Sequence, residues 1–336
     1  MRLDTLRKNC FGGTVLKIAW QNNWIYYVLV SVIVIMPPFF WGSFEIGFLI
    51  EMLILALAAT AANLMAGYTG MVSFGLAGFY GAAAYVTALL ITKAGFPFEI
   101  AFFAGPIGAF ILAMPIGWFC IKRTAVYFAM LTLAFSQLIY VVVYTWYSFT
   151  GGDNGIVGIS IPRYLQSTSS YYYFTLVVVL ICLIVLKILT NSPFGKTLNC
   201  IRDNPERAGF IGNDIRTFQF ASFIISSFFL GVAGSLYCGF SASVFAEYAN
   251  WHKTFEITTV YILGGMHEFL GPMGGAIIYL LLQKLISART EYWPLFFGIA
   301  IILVTIFLPG GIFGTILERF SVFKEERKRK KYDIRG

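Results

Sequence analysis

The chain is dominated by long apolar runs, each about the length of a bilayer span and each closed by a small polar or charged cluster. Such runs at about 24–41, 44–66, 71–92, 98–120, 124–146, 170–189, 217–240 and 291–309 predict eight helices, because crossing about 30 Å of hydrocarbon takes roughly 20 helical residues. The stretch 254–288 is too long for one span. It is interrupted by Gly264-Gly265-Met266-His267-Glu268-Phe269-Leu270-Gly271-Pro272, a concentration of helix breakers with two ionisable side chains. It reads either as one helix plus a re-entrant piece or as two short spans. The runs are continuous, whereas a membrane barrel alternates in ten-residue segments, so no β structure is expected.

Composition supports this pattern. Of 336 residues, 58% are apolar, 18% aromatic and only 12% charged, with a mean hydropathy of +0.77. A soluble domain carries about 25% charged residues, so a water-soluble fold is excluded. The net charge of +8 is not a nucleic-acid surface, because the charges sit between apolar runs and follow topology. If the N-terminus is inside, Lys122-Arg123, Lys187, Lys196, Arg202, Arg207 and Arg216 fall inside, as does the tail with Arg327-Lys328-Arg329-Lys330-Lys331. That requires 254–288 to cross an even number of times, for about ten spans with both termini cytoplasmic. Only Lys93, Arg163, Lys253, Lys284 and Arg289 are then outside, leaving 19 of 24 basic residues inside, the separation that positive-inside topology demands. Basic residues before the first run resemble a signal peptide. The run ends in Pro37-Pro38-Phe39-Phe40-Trp41 without a small-residue cleavage site, so an uncleaved first helix is expected.

Several enzyme motifs fail on inspection. Gly195-Lys196-Thr197 looks like the end of a P-loop, but Thr190 stands where its first glycine belongs and an apolar helix precedes it. His267-Glu268 begins a zinc-protease signature, yet Gly271 occupies the second histidine position. Ser73 is one residue out of register for a nucleophile elbow. The five cysteines are scattered among apolar neighbours with no Cys-x-x-Cys pair. Neither a metal site nor a cofactor is expected.

Two loops stand out. The outer one, about 147–169, carries Thr150-Gly151-Gly152-Asp153-Asn154-Gly155. The inner one, 190–216, is polar and has its own helical pattern. Ser192-Pro193 starts a helix whose apolar stripe is Phe194, Leu198, Ile201, Ala208 and Ile211, with Lys196, Arg202, Asp203, Glu206 and Arg207 on the other face. Within the spans, polar groups are few: Glu51, Asn63, Ser73, Gln137 and Glu256. Such groups face a bundle interior or a watery path. An ion-coupled carrier is one alternative function, but it would place several acids at mid-membrane, where only Glu51 lies deep. Glycine-rich interruptions at 67–81 and 264–275 mark either a substrate pathway or close helix packing.

Taken in order, these residues resemble the permease subunits of branched-chain amino-acid ABC importers, and most of all the larger of the two permease polypeptides. The resemblance runs from about residue 50 to 315. It rests on Gly67-Tyr68-Thr69-Gly70 through Ser73-Phe74-Gly75 to Gly81, then Tyr127-Phe128-Ala129, Thr150-Gly151-Gly152 and Asn154-Gly155. It continues with Ser192-Pro193-Phe194-Gly195-Lys196, Ile201-Arg202-Asp203-Asn204, Arg207-Ala208, Gly212, Gly264-Gly265, Gly271-Pro272 and Pro309-Gly310-Gly311. Leu76 stands where these permeases commonly have histidine, and His267-Glu268 replaces small residues. Related permeases handle other amino acids, short amides and urea.

The resemblance implies a single integral membrane domain over 1–336, all-α and polytopic, in a bacterial cytoplasmic membrane, with a coupling loop at about 190–216 and a basic tail at about 316–336. It implies a second permease as heterodimer partner, two cytoplasmic ATP-binding subunits, an extracytoplasmic solute-binding protein, and no ATPase site in this chain. The ATPase would be met through Phe194, Gly195, Leu198, Ile201, Arg202, Glu206 and Arg207, with Gly212 allowing a sharp exit. Unwound amides at 67–75 with Ser73 are expected to hold the solute carboxylate, Asn63 and Gln137 to orient it, and Tyr68, Phe74 and Phe79 to complete the path.

Overall fold

The computed structural model describes residues 42–122, 125–266, 268–289, 292–307 and 311. The chain divides into two units, 1–47 and 48–336. Only the opening turn of the first helix is described in the smaller unit, and the contacts below all lie within the larger. The expected span at 24–41, the tail at 316–336, Arg123 and His267 lie outside the described residues.

Twelve α-helices follow one another among the described residues: α1 Ser43–Asn63, α2 Leu76–Thr92, α3 Phe98–Cys120, α4 Ala125–Thr145, α5 Tyr147–Thr150, α6 Thr168–Asn191, α7 Pro193–Asp203, α8 Pro205–Phe210, α9 Ile215–Ser241, α10 Trp251–Gly264, α11 Gly271–Ser287 and α12 Trp293–Phe307. A π-helical turn, Leu64–Tyr68, prolongs α1. Five helices are long and apolar enough to cross a membrane: α1 with its π turn, α3, α4, α6 and α9. This is the all-α polytopic architecture read from the apolar runs.

Helix α2 is shorter than its apolar run because the chain stays unwound up to Leu76. Gly70, at φ +76°, turns the chain out of the π helix in a conformation that an L side chain resists. The first turn of α2 is buried, so its amides need protein acceptors. Ser73 Oγ accepts from the Gly75 amide at 3.1 Å, Thr132 Oγ1 from Phe74 at 3.2 Å, and Thr254 Oγ1 from Ala77 at 2.9 Å. The first turn of α2 is thereby fastened to α4 and α10.

The rest of α2 is almost wholly buried between α3 and α9. Lipid tails are as apolar as leucine, so helix association here relies on close approach and hydroxyl pairs. Gly78, Gly81 and Ala82-Ala83-Ala84 supply the small surfaces, and the Thr87 and Ser235 hydroxyls bond at 2.9 Å. On the flank, the Tyr171 hydroxyl of α6 donates to the Leu236 carbonyl at 2.7 Å.

One departure from the all-helical expectation appears. Strands β1 Ile156–Val157 and β2 Ser243–Val244 pair antiparallel, Ile156 opposite Val244. The glycine-rich 147–167 loop is too irregular to satisfy its own backbone. It borrows partners from the segment after α9, and both Gly158 and Ile159 donate to the Ala242 carbonyl.

The 254–288 stretch forms two short antiparallel helices, α10 and α11, joined by 265–270. Added Cβ atoms at Gly264 and Gly275 would overlap the backbone of the opposite helix, at Gly271 and Val260 respectively. Glycine at these positions lets the two backbones touch.

Candidate translocation site

The two glycine-rich interruptions, 197 residues apart at Gly67 and Gly264, meet in the fold. A Cβ at Gly67 would overlap the Met266 carbonyl oxygen, so the end of α1 lies directly on the turn between α10 and α11. Helix α7 closes the same junction. Arg202 Nη1 donates to the Gly67 carbonyl at 2.7 Å, while its other nitrogens bind Asp203 Oδ1 at 3.1 and 3.2 Å. The Tyr68 hydroxyl engages Thr190 at the end of α6.

The six residues expected along the path have different surroundings. Asn63 is buried beside Gly67, and neither its Oδ1 nor its Nδ2 has a partner among the described residues. Ser73 is buried and occupied at the start of α2. Phe79 lies in the core, edge-on to Phe223 at 5.4 Å, and Phe74 is 40% exposed. Gln137 on α4 has a buried amide nitrogen with no partner among the described residues, and Tyr68 is half-buried.

The 190–216 loop is two helices. Ser192 precedes Pro193, whose missing N–H is harmless at the first helical position. Gly195, Leu198, Ile201 and Ala208 are buried, and Phe194 stacks on Phe218 of α9 at 5.6 Å. Asn204 Oδ1 caps α8 by accepting from the Arg207 amide at 3.0 Å. Gly212, at φ +93° with open space around it, makes the sharp exit toward α9. Before α9, Thr217 Oγ1 donates to Asp214 at 2.6 Å and holds that carboxyl below the usual carboxylate range.

One position differs from the helical-wheel reading. Ile211, grouped with the buried stripe, is 79% exposed, and Phe210 beside it is 89% exposed; α8 ends at Phe210, so the periodicity no longer applies. Glu206 and Arg207 are exposed on the same short helix. An apolar pair flanked by charges is thus presented away from the bundle.

A further site joins Glu51 and Glu256, both read from sequence as polar groups within the spans, to Lys253, which the sequence reading places outside. Ala246–Ala249 forms a 3-10 turn, and Gly81 of α2 leaves no room for a Cβ beside Ala249, so this segment returns into the bundle. Helix α10 therefore starts among other helices, and Lys253, read from sequence as part of an outer loop, lies in its first turn among groups of the bundle. Its Nζ pairs with Glu256 Oε2 at 2.8 Å, the side chains being 18% and 23% exposed. Its ammonium also lies 5.5 and 5.3 Å from the ring centres of Tyr80 and Tyr237. These groups and Glu51 line a cavity of about 210 Å³ walled by Ile54, Leu55, Ala58 and Leu280. A wider cleft of about 720 Å³ adjoins it through Lys253, Glu256 and Gln283 and reaches His252 and Glu247.

A helical bundle with interrupted helices that meet, and with ionisable groups held among them, defines a multi-pass membrane transport protein. The chain belongs to the family of permease components of branched-chain amino acid transport systems, whose model matches residues 46–305. It is 23% identical over 319 residues to the high-affinity branched-chain amino acid transport system permease protein LivM of Escherichia coli K12, covering 86% of this chain and 74% of that protein. The LivM of Salmonella typhimurium LT2 gives the same identity and coverage. A LivM permease protein of Methanocaldococcus jannaschii is 24% identical over 203 residues, 54% of this chain and 58% of that one.

Proposed function

We propose that this chain is one of two permease subunits of an ATP-driven importer for branched-chain or related hydrophobic amino acids. In this reading separate cytoplasmic subunits bind and hydrolyse ATP, a second permease completes the pore, and a solute-binding protein delivers substrate from outside. Helices α7 and α8 take the ATPase stroke. Glu206, Arg207 and Phe210 meet the ATPase, while Phe194, Leu198 and Ile201 keep the unit rigid against α9.

The observation that carries this reading is the Arg202 bond to the Gly67 carbonyl at 2.7 Å. It ties the loop that would meet the ATPase to the junction of the two broken segments, so movement of α7 pulls on the place where α1 and the α10–α11 turn touch. That junction, with Asn63, Tyr68, Ser73, Phe74, Phe79 and Gln137 around it, is the closed inner end of the path. Its opening requires Gly67 and Met266 to part, and each state needs its own contacts from nucleotide or binding protein.

The reading requires both the 190–216 loop and the tail to be cytoplasmic, with the 147–167 loop outside. Single cysteines at 153, 206 and 330 test this in intact cells: a membrane-impermeant thiol reagent is expected to modify position 153 and spare 206 and 330. Modification of 206 from outside would overturn the assignment of α8 to the ATPase. Lys196, in the first turn of α7, is expected to resist crosslinking by an azido-ATP analogue.

A further inference from the structure

The cavity around Glu51 combines three features that a purely structural ion pair does not need. The first is placement among helices. Glu51 lies about 24 Å along α1 from the Gly67 junction, and Gln283 about 18 Å along α11 from Gly271, at 1.5 Å per helical residue. The bond from the Ala77 amide to Thr254 Oγ1 sets the first turn of α10 beside the first turn of α2. Ionisable side chains held within a bundle of membrane helices are costly and mark substrate or ion routes.

The second is incomplete pairing. Lys253 and Glu256 satisfy each other, while the Glu51 carboxylate lines the same space and forms neither a hydrogen bond nor an ion pair with the described residues. The Tyr80 hydroxyl is also without a partner among the described residues, and the residue is only 1% exposed. Two carboxylates and one ammonium leave an excess negative charge in a low-dielectric setting, and a ligand cation balances it. Lys253 in the first turn of α10, moreover, opposes the helix dipole. A ligand carboxylate at that turn meets both the dipole and the ammonium favourably.

The third is shape. The charged groups and tyrosines share the cavity with Ile54, Leu55 and Leu280, which give it an aliphatic surface beside them. A volume of about 210 Å³ corresponds to roughly seven waters at about 30 Å³ each, which suits one amino acid.

We propose that this cavity is a binding station for the transported amino acid, in which Lys253 takes the carboxylate, Glu51 takes the ammonium and the aliphatic wall takes the side chain. The station rests on the importer reading above and names its substrate contacts. It selects zwitterions over urea and simple amides, which offer no ammonium to Glu51. The solute reaches it before the Gly67–Met266 junction opens.

The test uses the complete transporter in nanodiscs, with both permeases and both ATPase subunits but without the binding protein, and radiolabelled leucine as probe. Saturable leucine binding is expected. 4-Methylpentanoate, which lacks the ammonium, and 3-methylbutylamine, which lacks the carboxylate, should each displace leucine at least tenfold more weakly than leucine itself. Equal displacement by either would overturn the assignment, and this arm needs no variant. In the second arm, Glu51→Gln and Lys253→Met should each weaken leucine binding at least tenfold, and Glu51→Asp should restore part of it. Unchanged binding in both variants would also overturn the station. The broader reading fails separately, if the wild-type complex with its binding protein imports no amino acid on ATP.

Discussion

Gly275→Leu is expected to remove most of the folded transporter, with at least a tenfold loss of monodisperse protein in size-exclusion chromatography. Even a Cβ at Gly275 overlaps the Val260 carbonyl and lies 2.9 Å from the Gly264 amide nitrogen and 3.0 Å from its Cα. The obstructing atoms are backbone, so no side chain can rotate away, and α10 and α11 must separate. Overpacking of this kind costs about 1–3 kcal/mol and sometimes more, and about 1.4 kcal/mol already corresponds to tenfold. Gly275→Ala should show the same direction with a smaller drop in melting temperature, although alanine favours a helix by up to about 1 kcal/mol over glycine. Gly298 in α12 is the control, since open space surrounds it. Gly298→Ala should leave yield unchanged or raise it, and equal damage at both positions would show that backbone contact is not the cause.

Arg202 and Arg207 are expected to fail differently, although both lie in the charged pattern of one loop. Arg207 is exposed beside Phe210, so Arg207→Glu should weaken ATPase docking and reduce transport and stimulated ATP hydrolysis together, by tenfold or more. Arg202 faces inward onto the Gly67 carbonyl. A hydrogen bond from a charged group contributes about 1.5–3 kcal/mol, and Arg202→Gln removes that link while leaving the docking rim intact. Transport should then fall at least tenfold while the ATPase subunits remain bound and continue to hydrolyse ATP. Proportional loss of both activities in the two variants would remove the transmission role from Arg202.

Much of this architecture was legible because continuous apolar runs and breakers act locally. The end of α1 at Gly67-Tyr68-Thr69-Gly70, the start of α7 at Ser192-Pro193 and the α10–α11 break each follow from residues within a few positions. The start of α2 did so only in part. Residues 71–75 read both as part of the apolar run 71–92 and as unwound backbone, and what decides between the two, the hydroxyls of Thr132 and Thr254, lies far away in sequence. The burial of Lys253 was hidden for a related reason. A lysine after an apolar run reads as the outer loop, and nothing local reveals that Ala246–Ala249 dips back between helices. The meeting of Glu51 with Lys253 and Glu256 is likewise tertiary, joining residues about 200 positions apart. The inward turn of Arg202 was also hidden, because a helical wheel ranks faces by composition and cannot tell which arginine finds a carbonyl.

The central claim is that this permease moves amino acids on ATP as part of a multisubunit importer. It is tested most directly by leucine uptake into proteoliposomes that contain both permeases and both ATPase subunits, with loaded binding protein outside, ATP inside and no ion gradient. The account predicts uptake that requires both ATP and the binding protein. Uptake driven by an imposed proton or sodium gradient without ATP, or no uptake when every component is present, would contradict it.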